Sequence, residues 1–157
     1  MAQLYTELLL RGKVAGQVGA GDIVRGLNND DPEEVFHIFN RLFTAIDYQN
    51  YPVVDEASVR AFIQVYLAGA GLDPKVERHN AHGRSDLEVK VGASLWVFEL
   101  KTAYEGKSAD AALQEAVGQL TSRRYGEQDA AEKLERVAFV FSLSGRRFVR
   151  WAAVPET

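Results

Sequence analysis

"GRSDLEVKVGASLWVFELK", residues Gly83–Lys101, is the stretch on which the fold turns. Two short runs of alternating apolar residues flank Gly92-Ala93, and glycine at the first central position suits a two-residue type II′ turn. The register follows, because positions paired across such a turn sum to 185: Val91 faces Ser94, Val89 faces Trp96, Leu87 faces Phe98, and Asp86 falls opposite Glu99. Side chains alternate along a strand, so Leu87, Val89, Trp96 and Phe98 share the core face, and Asp86, Glu99 and Lys101 share the other. Directly opposed side chains have Cβ atoms roughly 5 Å apart, where like charges repel, so a purely structural hairpin gains nothing from the two acids. Two carboxylates at that separation do suit a hard divalent cation, which takes anionic oxygens and keeps positions for water or substrate phosphate. Lys101 lies one pleat beyond Glu99, roughly 6.6 Å along the strand, within reach of a phosphate or a water. The competing reading is a solvated face with an incidental Glu99–Lys101 pair. The added presence of Asp86 weighs against it.

Working outward, Asp31–Ala45 reads as an amphipathic helix, with Pro32 at an early helical position and Val35, Phe36, Phe39, Leu42 and Phe43 at helical spacing. A second helix follows Pro52, with Asp55 as N-cap and Val59, Phe62, Ile63, Tyr66 and Leu67 in one stripe before Gly69 and Gly71. Glu56 belongs to that stripe, three residues before Val59, and so aims toward whatever the apolar face covers; an acid favoured in a helix's first turn is the equal alternative. Beyond the hairpin, Ser108–Tyr125 reads as a helix with Ala109, Ala112, Leu113, Ala116, Val117 and Leu120 on its buried side. A charged linker leads to a strand over Val137–Leu143, and a Ser144-Gly145 turn leads to a last strand over Phe148–Trp151. Strand, crossover helix and strand favour parallel pairing. The order α, α, β, β, α, β, β predicts an α/β fold: a mixed sheet flanked by helices.

Residues 1–30 read as a peripheral segment, a short apolar helix over Leu4–Leu10 running into a loop punctuated by Gly16, Gly19 and Gly21; residues 31–157 form the main domain. The glycines are no phosphate cradle, since no Lys-Ser or Lys-Thr follows them. The chain has 157 residues, enough for one domain with a substantial core. Apolar residues make up 46% and charged residues 25%, and no apolar run approaches a membrane span, so a soluble protein with no membrane partner is expected. Cysteine is absent, which excludes disulfides and thiolate zinc sites, and no secretory signal is evident, so a cytoplasmic location is the default. The net charge of −4 argues against indiscriminate coating of nucleic acid while leaving room for a local basic groove. His79 and His82 read as loop histidines, with no spacing that builds a closed zinc site. Arg123-Arg124 and Arg146-Arg147-Arg150 are candidates for a groove rim, with ordinary exposed charge as the plain alternative.

Asp86 followed by "FELK", with Glu99 and Lys101, resembles the signature of the PD-(D/E)XK nuclease superfamily: an acid, a strand's length or more, then E-x-K. The wider pattern is similar to the branch often found behind AAA-type ATPase domains. In that branch an acid opens the preceding helix, matched by Glu56. A "GR-x-D-L" strand start is matched by Gly83, Arg84, Asp86 and Leu87, and the Gln and Tyr of a helix motif by Gln119 and Tyr125 in "AVGQLTSRRY". Ser85 replaces the proline of the name. The resemblance covers roughly residues 31–151, and no Walker A sequence occurs in the chain, which suggests a free-standing version or a fragment. It implies a restriction-endonuclease-like three-layer α/β/α fold and Mg²⁺-dependent hydrolysis of a nucleic-acid phosphodiester, DNA foremost, with Mn²⁺ able to substitute. Asp86, Glu99 and the Leu100 carbonyl would hold the metal, Glu56 would hold a water or a second ion, and Lys101 would orient the attacking water. Gln119 would position Lys101 or a phosphate, against the equal alternative of a polar residue at the margin of a helix stripe. Arg84, Arg123, Arg124 and Tyr125 would contact nucleic acid. A homodimer and an ATPase partner are further possibilities, as are a catalytically silent binding module and a regulatory domain of an ATPase assembly.

Overall fold

The computed structural model describes residues 20–79, 84–104, 108–122 and 133–155; the side chains of residues 77–79 and 84–86 are outside that description. The Leu4–Leu10 helix, Gly16, Gly19, His82 and Arg123–Tyr125 therefore lie outside the described residues.

Three helices come first: α1 (Ala20–Asn28), α2 (Pro32–Thr44) and α3 (Glu56–Gly69). The caps expected for the latter two are present. Asp31 accepts the Glu34 N–H at 3.2 Å, and Asp55 forms a capping box with Ser58. Then follow β1 (Lys75–His79), β2 (Arg84–Val91), β3 (Ser94–Ala103), α4 (Ala109–Ser122), β4 (Lys133–Ser142) and β5 (Arg147–Val154), the strands forming one sheet in sequence order. β3 and β4 pair in parallel across the α4 crossover, and the other neighbours pair antiparallel.

The hairpin register is as expected, with Val91 paired to Ser94, Val89 to Trp96 and Leu87 to Phe98. Gly92 takes φ +60° while Ala93 stays out of the positive region, the signature of a type II′ turn. Alternation sorts β3 into two cores. Trp96, Phe98 and Leu100 pack with α1–α3, and Val97 packs with Ala116 and Leu120 of α4, Ala138 of β4 and Val154 of β5. The larger core is aromatic, with Phe39 of α2 meeting Phe98 and Phe139 edge to face at 5.7 and 5.6 Å. The result is a three-layer α/β/α fold with a central mixed sheet.

Three readings need correction. Residues 20–28, within the expected glycine-rich loop and peripheral segment, are helical, and Ile23 and Leu27 are fully buried in the main core. Gly26 is buried there too, and an added Cβ would meet Ile38 Cδ1 of α2 at 3.4 Å, an ordinary van der Waals contact. A fifth strand, β1, exists where none was expected, and His79 ends it rather than lying in a loop. β4 begins at Lys133, four residues early, because Arg136 is accommodated in the interior: its guanidinium donates to the Leu120 carbonyl at 3.1 Å and to the Pro155 carbonyl at 2.7 Å.

Candidate active site

The sheet forks beside Glu99. The β2–β3 ladder ends at Leu87–Phe98, one pair short of positions 86 and 99, while β2 continues along β1 as far as Arg84 and β3 continues along β4 as far as Ala103. The sequence reading placed Asp86 directly across the ladder from Glu99; the two positions are instead the first beyond the last pair. Backbone groups of a strand alternate sides, so Leu100 and Thr102, which share parity with Ser94, Trp96 and Phe98, turn their N–H and C=O groups toward the gap. The Thr102 N–H is taken by the Glu56 carboxylate, which reaches it from the first turn of α3. The Leu100 carbonyl faces the same gap.

Glu99 and Lys101 lie on the α4 face of β3. That face is covered, not open: Glu99 is only 2% exposed. Lys101 Nζ stands 3.8 Å from Glu99 Oε1 and 3.8 Å from Glu115 Oε1 of α4. These are ion-pair distances, longer than hydrogen bonds, with the ammonium held between two carboxylates. Burial pushes the Glu56 carboxyl above its usual range, against the opposing pull of Lys101, Arg60 and the Thr102 N–H, and Glu115 adds to the rise. Glu56 thus lies within electrostatic reach of Lys101. Gln119 stands one turn beyond Glu115 on the same side of α4, buried at 5% exposed, with neither amide atom hydrogen-bonded among the described residues. An orphaned buried amide is costly as mere structure and marks a place where a ligand or ordered water is expected.

The structure therefore brings Glu56, Glu99 and Lys101 to the carboxyl end of β3, with Gln119 on the helix above that face. It adds Glu115, which the sequence reading missed; its one signal is the four-residue spacing from Gln119. Asp86 and Arg84 are placed by backbone only, in β2 at the fork. Of the proposed basic rim, Arg146 leaves the group: its guanidinium stacks over the Tyr48 ring at 4.6 Å, beyond α2. Arg150 pairs with Asp110 of α4 at 3.0 Å. Among the described residues no group of three His, Cys, Asp or Glu side chains is gathered closely enough to hold a metal.

A mixed sheet between helical layers, with an acid and a lysine two residues apart on the strand that precedes the crossover, defines a restriction-endonuclease-like domain. A family model for the PD-(D/E)XK nuclease superfamily matches residues 54–151, more than half of the chain. The chain belongs to that superfamily. No curated protein and no solved structure matches it. Among the described residues no helix is long and apolar enough to cross a membrane.

Proposed function

We propose that the protein is a metal-dependent nuclease that hydrolyses phosphodiester bonds of DNA. The observation that carries this reading is the Glu99 carboxylate, nearly buried and 3.8 Å from the Lys101 ammonium at the carboxyl end of β3, in a chain of this superfamily. A structural role alone gains little from such a pair, since desolvating two charges offsets most of their attraction.

The donor set fits a hard cation. It consists of carboxylates and a backbone carbonyl, with no sulfur, and the Leu100 carbonyl and Glu99 both border the fork. Glu99, the Leu100 carbonyl and Asp86 would hold Mg²⁺ or Mn²⁺, with Glu56 at its margin. A bound divalent cation supplies Lewis-acid polarisation of the phosphodiester and a lowered pKa for the attacking water. Lys101 orients that water and offsets charge on the phosphate, while Glu99 and Glu115 fix the ammonium from two sides. Glu56, its carboxyl pushed above its ordinary range by burial, is suited to hold a water by hydrogen bonding. Gln119 presents an amide to the same face, free to meet Lys101 or a phosphate oxygen. Arg84, Arg123, Arg124 and Tyr125 remain proposed contacts for the nucleic-acid backbone.

Incubation with supercoiled, linear and single-stranded DNA in Mg²⁺, Mn²⁺ or EDTA tests this. Cleavage is expected with metal only, reduced at least 100-fold in Asp86→Asn and in Glu99→Gln. Cleavage surviving in EDTA, or persisting in both variants, refutes the assignment. Retained DNA binding without cleavage under every metal condition points to a silent binding module instead.

A further inference from the structure

Beside the proposed catalytic centre, two residues beyond Lys101 on the same face of β3, lies a cleft of about 550 Å³ lined by Ala103, Tyr104, Ala109, Ser142, Ser144 and Arg150, together with Val149. Tyr104 is one of two large apolar-bodied side chains strongly exposed among the described residues, at 51%. Arg150 reaches the cleft because of a β-bulge. The β4–β5 register runs Val140 to Arg150 and then Phe141 to Phe148, so Val149 is an extra residue. Phe148 and Trp151 keep their places on the main core, and the inserted residue turns Arg150 to the opposite, α4 face, where it meets Asp110. Asn40 of α2 holds the bulge by two hydrogen bonds to Phe148, donating to its carbonyl at 3.0 Å and accepting its N–H at 2.7 Å. A bulge that re-aims an arginine into a cleft next to an active site is a built feature rather than an incidental one.

We infer that this cleft binds the nucleotide adjoining the scissile phosphate, its base stacked on the Tyr104 ring and its phosphate on Arg150. The inference rests on the nuclease reading for its place in the reaction, but binding itself needs no metal. The walls are otherwise small: two alanines, a valine, and Ser142 and Ser144, whose hydroxyls meet each other at 3.3 Å while Ser142 also accepts the Gly145 N–H, which leaves no long side chain to read a base edge. Arg150 is tied to Asp110 by a surface ion pair with both partners half or more exposed, a contact weak enough for a phosphate to replace. A base can stack on a protein ring only when it is released from its own neighbours. The cleft therefore selects single-stranded or frayed DNA over continuous duplex.

The test is binding in EDTA, where no cleavage occurs, of a fluorescein-labelled ten-residue oligothymidylate and of a duplex hairpin of matching length. The single strand is expected to bind the wild type more tightly. Tyr104→Ala should weaken single-strand binding about 5- to 150-fold, the span of base–aromatic stacking, while Tyr104→Phe keeps it. Arg150→Ala should lower the salt dependence by about one phosphate contact, and Asp110→Asn, which frees Arg150 and removes a competing anion, should tighten binding. Unchanged affinity in Tyr104→Ala, or an equal loss for hairpin and single strand, overturns the proposal. If these binding effects appear but metal-dependent cleavage does not, the cleft stands and the nuclease reading falls.

Discussion

Lys101→Met separates the electrostatic role of the lysine from its packing, because methionine keeps most of the stem and removes only the ammonium. In the native protein Lys101 is 11% exposed and Glu99 3% by side chain, so their contact at 3.8 Å is scarcely screened. At an effective dielectric of about 20, such a separation corresponds to roughly 4 kcal/mol of attraction. The contact with half-exposed Glu115 adds about 0–1 kcal/mol. Removing one partner leaves the Glu99 carboxylate in a covered face, which costs about 3 kcal/mol by the usual penalty for a broken buried pair. For a chain of this length that is a fall of roughly 6–12 °C in Tm. Thermal melts in EDTA at pH 7 measure it. Glu99→Gln in the Lys101→Met background should recover part of the loss, since the buried carboxylate that lost its ammonium is then neutral. A Lys101→Met protein within about 0.5 kcal/mol of wild type, or a double variant as unstable as the single, refutes the claim that this pair is buried and coupled.

Two further predictions concern the same centre. The folded-state carboxyl of Glu56 is raised above its unfolded value, so the folded protein holds a proton that the unfolded chain has released, and wild-type stability falls as pH rises through the interval between those two values. Glu56→Gln removes that dependence: the variant should be at least as stable as wild type at pH 7, with the gap closing below about pH 4, and melts from pH 4 to 8 showing the opposite trend would sink the reasoning. Metal binding should stabilise the wild type by about 1.4 kcal/mol at ten times Kd, roughly 3–6 °C, and Asp86→Asn should respond less; equal responses in melts at fixed ionic strength mean that Asp86 does not contribute to the cation site.

What the sequence disclosed follows from where its patterns are local. The hairpin register was readable because Gly92 marks the turn and the period of two fixes the pairs as far as Leu87–Phe98, though not where the ladder ends. The caps of α2 and α3 were readable because Asp31 and Asp55 act on residues three positions away. β1 was not: Lys75–His79 has Val76 as its only strongly apolar residue, as an edge strand that needs little burial does. α1 was hidden because its glycines read locally as chain breakers, while what holds the helix is the burial of Ile23 and Leu27 in a core built by later elements. Arg136 misled for a related reason, its burial depending on carbonyls 16 and 19 residues away. At the site, Glu99 and Lys101 share one strand and were legible together. Glu115 looks like any exposed helix acid until the crossover brings it over Lys101.

The fork explains why the site is where it is. Had β2 and β3 stayed paired further, positions 86 and 99 would have been locked about 5 Å apart and the Leu100 backbone groups would have been taken up by the ladder. Ending the ladder at Leu87–Phe98 removes that constraint, and it exposes the β2-facing edge of Leu100 and Thr102 at the carboxyl end of a strand in a parallel pair, where α/β sheets open to ligands. The cost is two residues of unpaired edge. One N–H is recovered by Glu56, which is why an acid at the first turn of α3 serves the sheet as well as the helix. The Leu100 carbonyl is left facing the gap beside Glu99, and a cation there would satisfy it. On this reasoning the hairpin's local register and the acid's place on a distant helix act together: the ladder's end leaves the Leu100 and Thr102 edge open, and Glu56 takes the Thr102 N–H there while lying close to Lys101.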